Sequence, residues 1–249
     1  GSQCVACHMP VTTFMQVDDR HDHAFRIPRP DLAERLGTPD ACTACHDDRE
    51  PAWAAAQLAK WFPDSRHRGE HFAEQFHTAY SAGPGSEDGL LELISTPQLP
   101  AIVRATALRQ LAPWLNAGNV AQLRPALDDA DPLVRLAAVE TLGLLPVPQR
   151  VAALAERLLD PVLAVRMEAA SALAGEAESA LPTERRPAFQ HALAEYLTSL
   201  QFNADRPDTA VSLGDLHMKR GATTAAEQAY RHALQLDPGF TPAHLHLAD

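Results

Sequence analysis

A short frame of residues recurs every 31 positions in the middle of the chain. The pair Val-Arg occurs at 103–104, 134–135 and 165–166, and in each copy an alanine follows three positions after the arginine and a leucine seven positions after it. A fixed period in this range is typical of a solenoid, in which each repeat has an apolar face that only its neighbour can cover. The spacing therefore predicts a stack of helix pairs.

The helices of these pairs can be placed from the residues that begin them. Asp131-Pro132 and Asp160-Pro161 are expected to start second helices, and the partner helices are expected at 87–94, 120–127 and 151–159. The repeated arginine has two interpretations: a ladder, in which each guanidinium bonds carbonyl groups or an acid such as Asp129, or a ridge that binds a partner. We favour the ladder.

The tail contains a second type of repeat. Its small and apolar residues have the spacing of a 34-residue tetratricopeptide repeat, namely Leu213, Gly214, Ala226, Tyr230, Ala233 and Pro238. Small side chains at three of these positions predict two closely packed helices. A further copy is expected to begin at Thr241 and to be truncated at the C-terminus of the chain.

Composition and charge narrow both the fold class and the partners. An Ala- and Leu-rich sequence with few alternating β-branched residues predicts an all-α protein. The formal net charge of −11 argues against a nucleic-acid partner, because phosphate binding needs clustered Lys and Arg. No uncharged apolar run reaches the ~18 residues of a membrane span, so the chain is expected not to span a membrane.

All four cysteines fall into two copies of one motif, Cys4-Val5-Ala6-Cys7-His8 and Cys42-Thr43-Ala44-Cys45-His46. This C-x-x-C-H spacing is the attachment signature of c-type haem, since two thiols three positions apart can reach the vinyl groups of one porphyrin. The chain is therefore expected to carry two haems c, with His8 and His46 as the proximal iron ligands.

The two Cys-x-x-Cys pairs have two other interpretations. Four thiolates from the two Cys-x-x-Cys pairs could form a tetrahedral zinc site, but this leaves both motif histidines unexplained. A pair of redox disulfides is typical of a βαβ context, and the surrounding sequence shows no strand pattern. Haem is favoured over both.

The ligands on the opposite faces of the two irons are less constrained by the sequence. We expect a histidine as the distal ligand of each iron. In order of preference the candidates are His23, then His21 and His77, and then His71. No nucleophile and base constellation, phosphate loop or paired carboxylates indicate a catalytic residue in this chain.

Three stretches of the sequence resemble a family of bacterial multihaem cytochromes c with HEAT-like and tetratricopeptide repeats: Cys7-His8-Met9-Pro10, the run from Arg20 to Asp31, and the run from Gly37 to Cys42. The resemblance implies further haem motifs upstream, so that this chain holds the last two haems of an electron-transfer chain. Asp22-His23 is also similar to a distal-ligand segment of pentahaem nitrite reductases. Those enzymes have a Cys-x-x-Cys-Lys catalytic haem, which this sequence lacks.

The expected organisation is a dihaem module at 1–82, HEAT-like repeats at 83–181 and a tetratricopeptide region at 182–249. The expected function is electron transfer, with the repeats docking a redox protein partner, an upstream haem domain or a peptide. Two alternatives stay open: an interaction scaffold, or part of an oxidoreductase whose catalytic haem lies upstream. Attached haem implies export, so the expected location is the periplasm or another extracytoplasmic compartment.

Overall fold

The computed structural model describes residues 4–248. The chain is predominantly helical and divides into two compact units, one ending at Pro84 and one beginning at Gly85. The first unit contains, in order, α1 (Cys4–His8), β1 (Val11–Phe14), β2 (Asp18–His21), α2 (Pro30–Leu36), α3 (Pro51–Trp61), a 3₁₀ turn (Arg66–Arg68) and α4 (Phe72–Tyr80).

Helices α2 and α3 provide the small core of the first unit. Both begin with a proline in the first turn, where the missing N–H costs no helical hydrogen bond. The two helices pack on each other and bury Leu32, Ala33 and Ala54. This pair forms a rigid wall beside the two Cys-x-x-Cys-His motifs.

The first unit also contains a two-stranded β-hairpin, which the expectation of an all-α fold did not include. Strands β1 and β2 are antiparallel, with Val11 opposite His21 and Phe14 opposite Asp18. The turn places Met15 and Gln16 at positive φ, 51° and 62°, where hairpins ordinarily use Asn or Gly. Every residue of both strands is exposed, so the sequence has no alternation of apolar and polar residues to indicate a strand.

The second unit contains the remaining helices. Those of the predicted HEAT-like region are α5 (Ser86–Ser95), α6 (Ala101–Gln110), α7 (Val120–Leu123), α8 (Pro132–Leu142), α9 (Val147–Leu154) and α10 (Leu163–Leu173). Four follow them: α11 (Glu176–Ser179), α12 (Arg186–Phe202), α13 (Pro207–Lys219) and α14 (Thr223–Leu236). Helix α15 (Thr241–Ala248) is the last. Short 3₁₀ segments occupy 112–114, 124–128, 155–159 and 183–185.

The 31-residue frame forms the core of the stacked helices α6, α8 and α10. Its nine apolar positions are all buried, and eight of them have no exposed surface: Ala107, Leu111, Val134, Ala138, Leu142, Val165, Ala169 and Leu173. Helix α8 packs on both α6 and α10. Each repeat therefore covers the apolar face of the next, as the period predicts.

The repeated arginines form the predicted ladder. Arg104 pairs with Asp129, which confirms the acid named from the sequence. Arg135 donates two hydrogen bonds to Asp160, at 2.8 and 2.9 Å, and Arg166 donates two to Glu195, at 2.9 and 2.6 Å. Each guanidinium also reaches a backbone carbonyl, so the arginines fix the turns between repeats.

In the tail, α13 and α14 form a helical hairpin whose closest approach is at Gly214. A Cβ atom on Gly214 would lie 2.3 Å from the Tyr230 ring. Tyr230 is itself 3% exposed, and its hydroxyl donates a hydrogen bond to Asp215 at 2.8 Å. The ring therefore has little freedom to move away.

Replacing Gly214 with alanine is expected to lower the free energy of unfolding by ~1–3 kcal/mol, the usual cost of overpacking. Urea unfolding measures the loss, and hydrogen exchange should locate it in α13 and α14. The control is Gly239→Ala, whose Cβ would meet no atom closer than 3.4 Å. Equal effects of the two substitutions would contradict the close contact.

Candidate functional site

The first Cys-x-x-Cys-His motif forms helix α1, and a hydrogen bond fixes its histidine. The Nδ1 atom of His8 lies 2.8 Å from the carbonyl oxygen of Arg26. A donated Nδ1–H places the proton on that nitrogen and leaves the lone pair of Nε2 free, which is the arrangement that iron-ligating histidines use. His8 thus has the tautomer that a proximal ligand needs.

The segment after β2 folds back onto this motif. The amide of Arg26 donates to the carbonyl of His8 at 3.0 Å, and the Phe25 ring stacks on the His8 ring with centroids 5.2 Å apart. The Nδ1 atom of His21 lies 2.8 Å from the carbonyl oxygen of Met9. The hairpin and its following segment therefore hold the first motif from both sides.

The second motif forms a turn rather than a helix. The amides of Cys45 and His46 both approach the carbonyl of Cys42, at 3.1 and 3.0 Å. The Asp40 carboxylate closes the turn by accepting hydrogen bonds from the Cys42 amide at 2.7 Å and from the amide and hydroxyl of Thr43. The His46 ring lies 4.9 Å from the Trp53 ring of α3.

Both motifs line one cavity of about 600 Å³, a size within the usual range for a cofactor site. Both thiols and the histidine of the second motif face it, whereas the first motif contributes Cys7 and His8. Cys4 is exposed and is not among the lining residues. The rest of the wall is mostly apolar and includes Ile27, Trp53, Ala54, Leu58, Trp61 and Phe62.

Two arginines reach the cavity in different electrostatic states. Arg29 donates to both carboxylate oxygens of Asp31, at 2.8–3.2 Å, and to the carbonyl of Gly69, so its charge is paired. The Asp31 pKa is lowered chiefly by the hydrogen bond from Arg29. Arg68 bonds the carbonyl of Pro63 and has no carboxylate within ion-pair distance among residues 4–248. A carboxylate-bearing ligand would find a cation there.

The state of the thiols bears on the zinc and disulfide interpretations. All four cysteines are free. Burial, followed by the nearby charge of Asp40, raises the pKa of Cys42 to about 11. A metal-binding or redox thiol is a thiolate and is typically found where the pKa is lowered. Within residues 4–248, no group of three or more His, Cys, Asp or Glu side chains is arranged to hold a metal ion.

None of the four predicted distal histidines belongs to the described wall of the cavity. His23 and His77 are exposed. His71 caps α4, and its Nδ1 accepts a hydrogen bond from the Ala73 amide at 3.2 Å. Burial and the charge of Arg29 lower the pKa of His71, which favours its neutral form, with the proton on Nε2. That any of these four histidines binds an iron stays a prediction.

The cavity wall contains a histidine that the sequence did not indicate as a ligand. His67 lies in the 3₁₀ turn Arg66–Arg68 and lines the cavity together with His8 and His46. In sequence it stands between two arginines in a short segment without helical periodicity, which is typical of a solvated loop. Only the folding of 63–69 against α3 and the second motif reveals its position.

Comparison with known proteins identifies the repeats. Residues 87–174 match the family model of HEAT repeats. The matched segment runs from α5 to the residue after α10, the same helices that carry the 31-residue frame and the arginine ladder. Searches of curated proteins and of solved structures gave no match. No helix in the described part of the chain is both long and apolar enough to cross a bilayer.

Proposed function

We propose that the chain is a haem-carrying electron-transfer protein whose HEAT-like repeats form a scaffold for protein partners. The scaffold part rests on the match at 87–174 and on the stacked helices α5 to α10, because repeats of this kind present extended binding surfaces. The electron-transfer part rests on one observation above all: two Cys-x-x-Cys-His motifs line a single apolar cavity.

The two motifs contain the residues needed to attach two haems covalently. Cys4 with Cys7, and Cys42 with Cys45, would form the thioethers, and His8 and His46 would bind the irons. Bound haem iron supplies one-electron redox chemistry. The protein's own contribution would be to keep the Nε2 lone pair of His8 free through the hydrogen bond to the Arg26 carbonyl, to line the cavity with the apolar residues of α3, and to offer Arg68 to a carboxylate.

The location and the partners follow from this proposal. Covalent haem requires export, so the proposed compartment is the periplasm or another extracytoplasmic space. The net charge of −11 suits a basic or redox protein partner. The HEAT-like match also favours a second candidate, an interaction scaffold whose haem unit serves mainly as a structural element. An oxidoreductase with a catalytic haem upstream is the third.

Production with a c-type haem attachment system tests the haem proposal. We expect two haems per chain and a pigment that stays with the polypeptide after acid denaturation, because thioethers survive this treatment. Cys4→Ala/Cys7→Ala and Cys42→Ala/Cys45→Ala should each lose one haem, as measured by the pyridine haemochrome spectrum. Pigment that extracts into organic solvent, or stoichiometric zinc at the thiols, would overturn the proposal.

Reversible one-electron titration separates electron transfer from a structural role. Two redox steps at the haems, with electron exchange to a soluble protein partner, are expected for the first candidate. Haems that stay reduced or oxidised over the whole range of applied potentials would favour the second candidate, an interaction scaffold.

A further inference from the structure

The 3₁₀ turn that ends the cavity wall carries a histidine with no assigned role. Its backbone is held at both sides: the His67 amide donates to the Ser65 hydroxyl at 3.3 Å, and the Arg68 guanidinium bonds the carbonyl of Pro63. These contacts fix the turn without using the imidazole. His67 is exposed and lines the cavity, so its unbonded ring is accessible to a group bound there.

His67 is one of the histidines of this unit whose ring nitrogens are not hydrogen bonded within residues 4–248, and among the predicted and observed candidates for a second iron ligand only His67 lines the described cavity. The Nδ1 atoms of His8, His21 and His71 each have a backbone partner within 3.2 Å. Among the described residues, neither ring nitrogen of His67 has a hydrogen-bond partner. A neutral imidazole keeps one nitrogen lone pair, which is the group that binds a metal.

The cavity contains both cysteines and the histidine of the second motif. Cys42, Cys45 and His46 all line it, whereas the first motif contributes Ala6, Cys7 and His8 but not Cys4. A porphyrin attached through Cys42 and Cys45 would therefore lie in this space, with one face toward His46. The 63–68 segment contributes Ser65, His67 and Arg68 to the wall of the same space.

We propose that His67 is the second axial ligand of the iron attached through Cys42, Cys45 and His46. The inference rests on the proposed function and extends it, because it assigns a ligand to one particular iron. Ligation by two histidines makes that iron low-spin and closes it to small molecules. For the iron that His8 would bind, the candidate distal ligands stay His21 and His23, which lie in and just after β2.

The experiment uses the two-haem protein and the variant His67→Ala. We expect half of the haem to become high-spin in the electron paramagnetic resonance and optical spectra and to bind carbon monoxide, while the other half stays low-spin. Added imidazole should restore the low-spin spectrum. His67→Met should retain a low-spin iron at a higher reduction potential, since a thioether ligand raises it.

Two controls separate ligation from a general disturbance. Arg66→Ala changes the same turn at an exposed side chain outside the cavity wall and should leave the spectra unchanged. In a Cys42→Ala/Cys45→Ala background, which removes the second haem, His67→Ala should have no further effect.

The outcomes are distinguishable. If the parent protein attaches no haem, the proposed function itself is overturned. If both haems are attached and His67→Ala keeps them low-spin, only the assignment of His67 is overturned. A high-spin change that persists in the background without the second haem would likewise overturn it, because His67 would then act on the first iron.

Discussion

Replacing Asp160 with alanine is expected to lower the free energy of unfolding of the repeat unit by ~3–5 kcal/mol, because it leaves the Arg135 charge buried without its partner. The two side chains are 2% and 10% exposed, and the guanidinium donates to both carboxylate oxygens. Asp160 also accepts a hydrogen bond from the Val162 amide at 2.9 Å, so the substitution removes three hydrogen bonds. Urea unfolding followed by circular dichroism measures the loss.

The matched control is Glu227→Ala, which breaks an ion pair of the same chemistry on the surface of α14. Glu227 and Arg231 are 52% and 66% exposed, so this pair should contribute no more than ~0.5 kcal/mol. Changing both buried partners, as Arg135→Met/Asp160→Asn, should recover part of the Asp160→Ala loss, since no unpaired charge remains. Similar losses for Asp160→Ala and Glu227→Ala would show that the ladder does not act as a buried pair.

The same pair gives the unit a defined acid sensitivity. Burial acts to raise the pKa of Asp160, but the hydrogen bonds from Arg135 and from the Val162 amide outweigh it, and the net pKa is lowered. A carboxyl whose folded pKa lies below its unfolded value of ~3.9 stabilises the fold above that pH. This stability is lost as the pH falls below about 4, through the folded pKa.

The repeat region could be predicted in detail because its signal is redundant. Three copies of one frame fix the buried positions, and all nine of its apolar residues are buried in the structure. The acid at Asp129 could also be named as a partner of the ladder, since it precedes a helix-starting Asp-Pro pair. What the period does not reveal is that α7 and α9 each end in a 3₁₀ segment.

In the first unit the sequence shows the two motifs but little of the surrounding geometry. Cys-x-x-Cys-His is a local motif, so both copies are visible in sequence. The β-hairpin is not, because its strands are exposed and its turn uses Met15 and Gln16. The position of His67 depends on contacts between segments distant in the chain, which no local pattern encodes. The choice among the remaining histidines stays a prediction for the same reason.

Leu142→Ala is the second substitution with a large expected effect, a loss of ~2–5 kcal/mol in the free energy of unfolding. Leu142 has no exposed surface and lies in α8, which packs on both α6 and α10. Removing its side chain leaves a cavity shared by three helices, so both adjoining repeats should lose protection against hydrogen exchange. Each kcal/mol should lower the melting temperature by about 2–4 °C in a unit of this size.

The control is Leu144→Ala, which removes the same atoms two residues further along the chain. The side chain of Leu144 is 65% exposed, so we expect the free energy of unfolding to change by no more than ~0.5 kcal/mol. The difference between the two variants therefore measures the burial of the leucine side chain rather than the loss of a leucine as such. Since stability in a repeat stack is shared between neighbours, the effect of Leu142→Ala should fade toward α13 and α14 and should leave the haem spectra of a haem-loaded protein unchanged. Spectral changes as large as the loss of repeat stability would mean that the repeats and the Cys-x-x-Cys-His unit unfold as one cooperative body.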